Sequence, residues 1–359
     1  MIRKLKRMSL QMIAGANIAT IIIMFILGNC DYFNPSVHPY LACGGMLYPL
    51  FLIFNLLFLV FWLLFHIRGV WIPILGYIIG FASLRVYLPI NVTFDVPPEG
   101  SIKILSYNVM AYGGEYDGTY PIIEYIRNSK ADIVCLQEDI GEGKLRDKVN
   151  DRLSEYKYRD TTRIGISNCI GLYSKYPILS KERIEHVSKT NGSVAYRLKM
   201  GNDTVLLINN HLENCHLSQD DRTSYRKLLR CQMEKDTASI ESKKLIERLA
   251  ISGSVRSRQI REIVNYIEKN KGESIILCGD FNDNPISYSR RMIAKELTDC
   301  YVKTGTGIGL SYNRKGFFVR IDNIMCSSDW TPYGCKIDNK IKESDHYPIY
   351  CWLKKHSKH

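Results

Sequence analysis

Ser274-Ile275-Ile276-Leu277-Cys278-Gly279-Asp280-Phe281-Asn282 is an apolar run that stops on a turn carrying an acid and an amide. The run predicts a buried strand over Ser274–Gly279. Gly279 permits a tight strand-to-loop turn, and Asp280 and Asn282, two positions apart, can face one side. Alone, this pair reads as ordinary turn chemistry, because Asp and Asn are common turn residues. The same design recurs along the chain, however. Ile102–Tyr107 ends at Asn108, Asp132–Gln137 ends at Glu138, and Val205–His211 ends at His211. Asp322 interrupts the apolar run Ile321–Cys326, and Ser344-Asp345-His346 leads into His346–Trp352. Strand ends are where a rigid scaffold presents side chains to a common cleft.

Further strands are predicted at Ile170–Ser174 and Val194–Lys199. Helices are predicted at Tyr120–Asn128, at Ile260, Ile263, Val264 and Ile267, and in the polar stretch Arg222–Ile251. Strands that do not alternate strictly with helices indicate an α/β sandwich with mixed sheets rather than a doubly wound sheet.

Upstream, residues 1–92 read as an all-α membrane segment with apolar spans near 10–28, 41–65 and 70–90, each close to the roughly 20 residues a bilayer requires. Arg85 near the end of the third is placed to snorkel. The continuing apolar runs argue against a cleaved signal peptide, and Asn29 before Cys30 argues against lipid attachment. Arg3, Lys4, Lys6 and Arg7 precede the first span, and His66 and Arg68 lie in the second loop. Positive charge marks the cytoplasmic side. A multi-pass protein of an inner or plasma membrane follows, with the domain at 101–355 on the outer, periplasmic or extracellular side. Residues 93–100, with Pro97, Pro98 and Gly100, form a short linker that keeps the domain near the bilayer.

The net charge is +12, which favours anionic partners. No CxxC pair occurs among the eleven cysteines. Those in predicted strands (Cys135, Cys278, Cys326, Cys351) read as small core residues rather than zinc ligands or disulfides.

Individually Glu138 reads as a solvated loop residue and His211 as a structural histidine. Asp322, in an apolar strand, requires a cation, a histidine or a backbone cap. Together the set matches what phosphate-ester hydrolysis requires: a divalent cation, a group to orient water, an acid for the leaving oxygen, and transition-state donors. Asn and carboxylate oxygens suit Mg²⁺, with Mn²⁺ or Ca²⁺ as alternatives. No P-loop or zinc spacing is present.

The ordered motifs Leu105-Ser106-Tyr107-Asn108, Leu136-Gln137-Glu138, Gly171-Leu172-Tyr173-Ser174, Asn210-His211-Leu212, Gly279-Asp280-Phe281-Asn282, Arg320-Ile321-Asp322-Asn323 and Ser344-Asp345-His346 resemble the endonuclease/exonuclease/phosphatase superfamily. The chain looks like a membrane-anchored, bacterial-type member. The resemblance covers about residues 101–353 and implies a four-layer αββα sandwich. It implies Glu138 as the main metal ligand, beside Asn108 and Asp345. Asp280 and Asn282 would orient water and phosphate. His346, paired to Asp322, would act as base or transition-state stabiliser, and His211 would bind a phosphoryl oxygen or assist the leaving group. Met110 stands where abasic-site endonucleases carry an acid, which disfavours that branch. The histidine in Asn210-His211-Leu212 fits the deoxyribonuclease and sphingomyelinase branches.

A basic helical insertion is expected at about 213–255. Residues 222–261 hold eleven Lys/Arg and four Asp/Glu. This is either a solvated helical pair or a basic lid over a polyanion or the bilayer. The expected activity is hydrolysis of a phosphate ester by metal-assisted in-line attack of water, in the first place on a phosphodiester. The alternatives are a nuclease acting on DNA or RNA, a phospholipid or sphingomyelin phosphodiesterase, and a phosphoinositide-type phosphatase. The complete motif set argues against a non-enzymatic membrane protein. The bilayer is the expected partner, and no protein partner is expected.

Overall fold

The computed structural model describes residues 2–92, 96–165, 168–188, 190–215, 217–230, 232–314 and 319–356. Among them twelve strands follow a helical N-terminal segment: β1 (Ile102–Asn108), β2 (Ile133–Asp139), β3 (Tyr158–Arg163), β4 (Cys169–Ser174), β5 (Ile178–Ile184), β6 (Gly192–Met200), β7 (Asp203–His211), β8 (Ser274–Asp280), β9 (Thr298–Asp299), β10 (Asp322–Cys326), β11 (Trp330–Ile337) and β12 (Ile349–Lys355). They form two six-stranded sheets, ordered β11-β12-β1-β2-β4-β3 and β5-β6-β7-β8-β10-β9. The pairs β1–β2 and β7–β8 are parallel, and their neighbours are antiparallel, so both sheets are mixed.

The layering follows from strand periodicity. Along β1, Ile104 enters the core between the sheets, while Leu105 and Tyr107 pack under the helices Pro121–Ser129 and Lys144–Arg152. Along β8, Ile276 and Cys278 face the other sheet, while Ile275 and Leu277 meet Ile260, Ile263 and Ile267 of the helix Lys235–Lys269. Alternate side chains take opposite faces of a strand, so strands covered on both faces are apolar throughout. Each large aliphatic side chain buried this way contributes about 1.5–3 kcal/mol. The result is the expected αββα sandwich. Cys135, Cys278, Cys326 and Cys351 are buried free thiols within its central core.

The N-terminal segment begins with the helix Ile2–Gly28 and continues, after short turns at Pro39–Ala42 and Cys43–Leu47, into the helix Tyr48–Phe65. Two stretches, Arg3–Tyr32 and Pro39–Phe65, are long and apolar enough to cross a membrane. The third expected span is not one straight helix: Ile67–Ile79 and Phe81–Tyr87 meet at 70°. The break centres on Gly80, the kind of residue at which sharp kinks concentrate. A buried polar cluster joins these helices. Asn17 Nδ2 donates to Asn55 Oδ1 (3.0 Å), Trp62 Nε1 donates to Asn17 Oδ1 (3.1 Å), and Asn55 Nδ2 donates to the Pro73 carbonyl (3.0 Å). In an apolar setting such bonds hold helices together without a hydrophobic contrast.

The helix ends nearest the sandwich are tied to it. Arg291 pairs with Asp31 (3.4 Å) and lies over the Tyr32 ring, and Ser36 Oγ donates to the Ser254 carbonyl (3.3 Å). Arg320, fully buried, donates to the Val86 carbonyl (2.7 Å). Rather than reaching outward, Arg85 donates to Asn91 Oδ1 (2.8 Å), and Asn91 Nδ2 donates to the Gly305 carbonyl (2.6 Å). Of the expected linker, residues 93–95 lie outside the described residues. Within the expected insertion, Ser218 caps the helix Gln219–Leu229 with a reciprocal Asp221 contact. Its second part is continuous with the amphipathic helix around Ile260 in one 35-residue element, Lys235–Lys269.

Candidate active site

Sheet register creates the first part of the site. His211, Asp280 and Asp322 stand side by side on β7, β8 and β10, in one row across three adjacent strands. All three are at most 1% exposed. Gly279 makes the row possible. It adopts φ +135°, and a Cβ there would overlap the Asn210 carbonyl. Asp280 Oδ1 accepts the Asn282 N–H (2.8 Å), which leaves Oδ2 facing the cleft.

The facing sheet supplies Asn108 and Glu138. Asn108 Nδ2 lies 3.1 Å from Glu138 Oε1 and 3.2 Å from Asp280 Oδ2, so one amide touches acids from both sheets. Glu138 adopts φ 50° and Asn282 φ 51°, left-handed conformations that cost energy for residues with a Cβ. Such strain concentrates at functional sites. Beneath Glu138, Asp139 is buried against Arg146 (2.7 Å) and accepts the Tyr112 hydroxyl (2.8 Å). Burial pushes the Asp139 carboxyl up, and Arg146 opposes it. Arg146→Ala would strand this acid in the core. It is expected to lower unfolding stability by about 3–5 kcal/mol. Chemical denaturation of the full chain in detergent measures this, and a loss below about 1 kcal/mol would mean the pair is not structural.

His346 closes the site. Its Nδ1 lies 2.9 Å from Asp322 Oδ2, and its Nε2 lies 3.5 Å from Asp280 Oδ2. Burial alone would lower this imidazole, but the Asp322 and Asp280 carboxylates outweigh it and hold it above the ordinary histidine range. Ser344 Oγ donates to the Asn108 carbonyl (2.7 Å) and accepts the His346 N–H (3.1 Å), tying the segment before β12 to the end of β1. His211 behaves oppositely: burial pushes it down, partly offset by Glu138. Asn168 Nδ2 lies 3.1 Å from His211 Nδ1 and also donates to the Thr190 carbonyl (3.0 Å). An amide nitrogen only donates, so His211 Nδ1 accepts and the ring proton sits on Nε2. That Nε2 lies 3.8 Å from Glu138 Oε1 and 3.7 Å from Asp280 Oδ2.

All eight residues singled out in the sequence meet in this region. Glu138, Asp280, Asn282, Asp345 and His346 line a cavity of about 250 Å³, with Asn108, His211 and Asp322 directly behind. Asp345 Oδ2 is engaged by Arg314 (3.3 Å), and Asn282 Nδ2 by the Leu212 carbonyl (2.9 Å). Three participants escaped the sequence reading: Asn168, which sets the His211 tautomer, Tyr312, whose ring meets His346 edge-on at 5.2 Å, and Arg222, which lines the cavity from the insertion.

The donor set fits a hard divalent cation. Glu138 and Asp280 offer carboxylate oxygens on either side of the Asn108 amide, whose own oxygen accepts the Met110 N–H (3.2 Å). Asp322 Oδ1 is buried and has no hydrogen-bond partner among the described residues. Asp280, Asp322 and His346 also come within 4.8 Å of one another, near enough to share an ion. Asp322 Oδ2 is already committed to His346, however, so these three read better as an acid–imidazole–acid chain beside the cation than as its cage.

A model of the Endonuclease/Exonuclease/phosphatase family matches residues 105–346. This chain belongs to that family. Membership makes the domain a phosphoester hydrolase of a family that generally uses a divalent metal. A second model, of a domain of unknown function, matches residues 10–87. A search of curated proteins finds no match. Among solved structures, an endonuclease/exonuclease/phosphatase from Beutenbergia cavernae is 13% identical, covering 71% of this chain and 72% of its own, with TM-score 0.51. The human Nocturnin catalytic domain with bound sulfate anion is 14% identical, covering 73% and 97%, with TM-score 0.50. A family protein from Bacteroides vulgatus is 15% identical, covering 72% and 100%, with TM-score 0.50. At these identities the likeness is one of fold.

Proposed function

We propose that this chain is a membrane-anchored, Mg²⁺-dependent phosphodiesterase that hydrolyses its substrate by in-line attack of water. The observation that supports it most is the His211–Asp280–Asp322 row facing Asn108 and Glu138, with His346 bridging Asp322 and Asp280. Glu138, with Asn108 and Asp345 at its flanks, would hold the cation. When bound, Mg²⁺ supplies neutralising charge for the phosphoryl oxygens and acidifies water. Asp280, fixed by the Asn282 N–H, orients the attacking water. His346, oriented by Asp322, presents Nε2 to the same point. His211, with its proton on Nε2, donates to a phosphoryl or leaving oxygen.

The helices Arg3–Tyr32 and Pro39–Phe65 and the bent third pair form the anchor in this reading. Arg3, Lys6, Arg7, His66 and Arg68 gather around one hollow at the end remote from the sandwich. Positive charge collected at one end supports a cytoplasmic position there and an outward catalytic domain. The nuclease reading drew on the insertion's charge, but only Arg222 and Arg256 of that segment line the cavity, and Arg256 is paired with Asp283 at 3.2 Å.

The test is hydrolysis of externally added bis(p-nitrophenyl) phosphate by intact and permeabilised expressing cells. Turnover is expected in intact cells, lost with EDTA and restored by Mg²⁺. Activity that appears only after permeabilisation would reverse the orientation, and activity indifferent to EDTA would remove the metal.

A further inference from the structure

The cavity that holds the acids and histidines is not walled by the catalytic domain alone. Met46, from the turn between the first two long N-terminal helices, lines it together with Leu217, Leu249, Val319 and Ile321. Met46 stands two residues before Tyr48, the first residue of the helix Tyr48–Phe65. The turn is pressed against the loop that follows β8. A Cβ on Gly45 would overlap the Ile286 carbonyl and come within 3.2 Å of Asn284 Oδ1. Asn284 itself lines the cavity, two residues beyond Asn282. The cavity is thus lined both by polar groups, among them Glu138, Asp280, Asp345, His346 and Arg222, and by the apolar side chains of Met46, Leu217 and Leu249. Met46 itself lies within one helical turn of an apolar helix whose residues Leu50, Ile53, Leu57 and Leu64 are exposed.

From this juxtaposition we infer that the anchor completes the active site, and that the substrate is a phosphodiester borne on a membrane lipid. The inference rests on the phosphodiesterase reading above. The cavity's volume, about 250 Å³, suits a phosphate with its short polar and glycerol-like flanks, below the 300–1,000 Å³ usual for whole drug-sized ligands. The acyl chains stay in the bilayer beside the helix Tyr48–Phe65, and only the head of the lipid enters. Met46, Leu217 and Leu249 receive the apolar part nearest the phosphate, while Arg222 offers the phosphate a guanidinium, the side chain best matched to its oxygens. In the reaction the oxygen of water bonds to phosphorus, the bond from phosphorus to one ester oxygen breaks, and that oxygen leaves as an alcohol carrying a proton. The other product is a phosphomonoester, and no other reactant is consumed. A nucleic-acid strand needs a groove open at both ends with bases stacked on aromatic rings. Here Met46 and the insertion wall the cavity from one side.

The experiment uses the full chain in nanodiscs containing phosphatidylglycerol or sphingomyelin. Turnover of each lipid with Mg²⁺ is compared with that of bis(p-nitrophenyl) phosphate and of single-stranded DNA and RNA. Met46→Trp, which fills the space beside the anchor turn, and Gly45→Val, which lifts that turn off Ile286, are measured beside it. The expected result is lipid hydrolysis in excess of nucleic-acid hydrolysis, and a drop of about tenfold or more in the ratio of lipid to soluble-diester kcat/KM in Met46→Trp, as loss of a filled apolar subsite implies. Gly45→Val is expected to lower the same ratio. If the wild-type chain cleaves the soluble diester but prefers DNA or RNA, or if Met46→Trp leaves the ratio unaltered, the lipid assignment is wrong while the phosphodiesterase reading stands. If nothing is cleaved with Mg²⁺, the phosphodiesterase reading fails and this inference with it.

Discussion

Replacing His346 with alanine is expected to lower the turnover of a phosphodiester by roughly 10³–10⁴-fold, the range for a positioned proton-transfer group. The geometry explains why one side chain carries so much. His346 Nδ1 is occupied by Asp322 at 2.9 Å, so Nε2 alone meets the cleft, 3.5 Å from Asp280 Oδ2. Asp322 serves mainly through this ring, since it lies behind His346 and only its other oxygen is unpartnered among the described residues. Asp322→Asn is therefore expected to cost less than His346→Ala, and the double variant to be no slower than His346→Ala alone. Residues that act as a unit show this non-additivity. His346→Ala also leaves Asp322 without its imidazole in a buried site, so stability falls as well. His346→Gln, which keeps a donor near Asp322, separates the two effects: the protein should regain stability but not rate. A double variant slowed by the product of the single effects would show that Asp322 and His346 act independently, and a near-normal His346→Ala would remove His346 from the chemistry.

What could be read in the chain beforehand has a physical boundary. The central strands were legible because they are apolar on both faces, as β1, β2, β7 and β8 show in their nearly complete burial. β3, β5, β9 and β11 were not, and each is an edge of its sheet. Tyr158–Arg163 and Ile178–Ile184 carry Arg, Asp, Lys and Glu because an edge faces water and charged residues deter further strand pairing. The site shows the same division. Asp280 and Glu138 stand out as polar residues that end apolar runs, and His346 as one that opens a strand run. Asn168 carries no local sign of its role, because its partner His211 lies 43 residues away and the meaning of the pair exists only once β7 is beside β4. Met46 was hidden differently: in a stretch read wholly as membrane span, a methionine next to glycines is unremarked until the turn Cys43–Leu47 is seen folded back on the loop after β8. The bend at Gly80 in the third apolar stretch was not legible either, since composition reports how apolar a segment is and not whether its axis bends.

Glu138→Gln tests the other half of the site. The carboxylate is 37% exposed at its side chain, far more than Asp280 or Asp322, so of the converging acids it is the one a hydrated cation reaches first. Mg²⁺ keeps several waters and takes few protein ligands, which favours an open acid over a buried one. Glutamine preserves shape and the neighbourhood of Asn108 Nδ2 but removes the charge. The expected result is a loss of about 10²–10³-fold in turnover, corresponding to a few kcal/mol of charge stabilisation at the phosphoryl group. Weakened Mg²⁺ binding by titration calorimetry is expected alongside it, and that readout does not depend on the chemistry. Raising the Mg²⁺ concentration should recover part of the rate, because Asn108 and Asp345 remain. His346→Ala offers the contrast: its Mg²⁺ affinity should stay near the wild-type value, since its ring is committed to Asp322. If Glu138→Gln binds Mg²⁺ as the wild type does while His346→Ala does not, the assignments must be exchanged, and the cation belongs with Asp280, Asp322 and His346, whose ligand atoms already lie within 4.8 Å of one another.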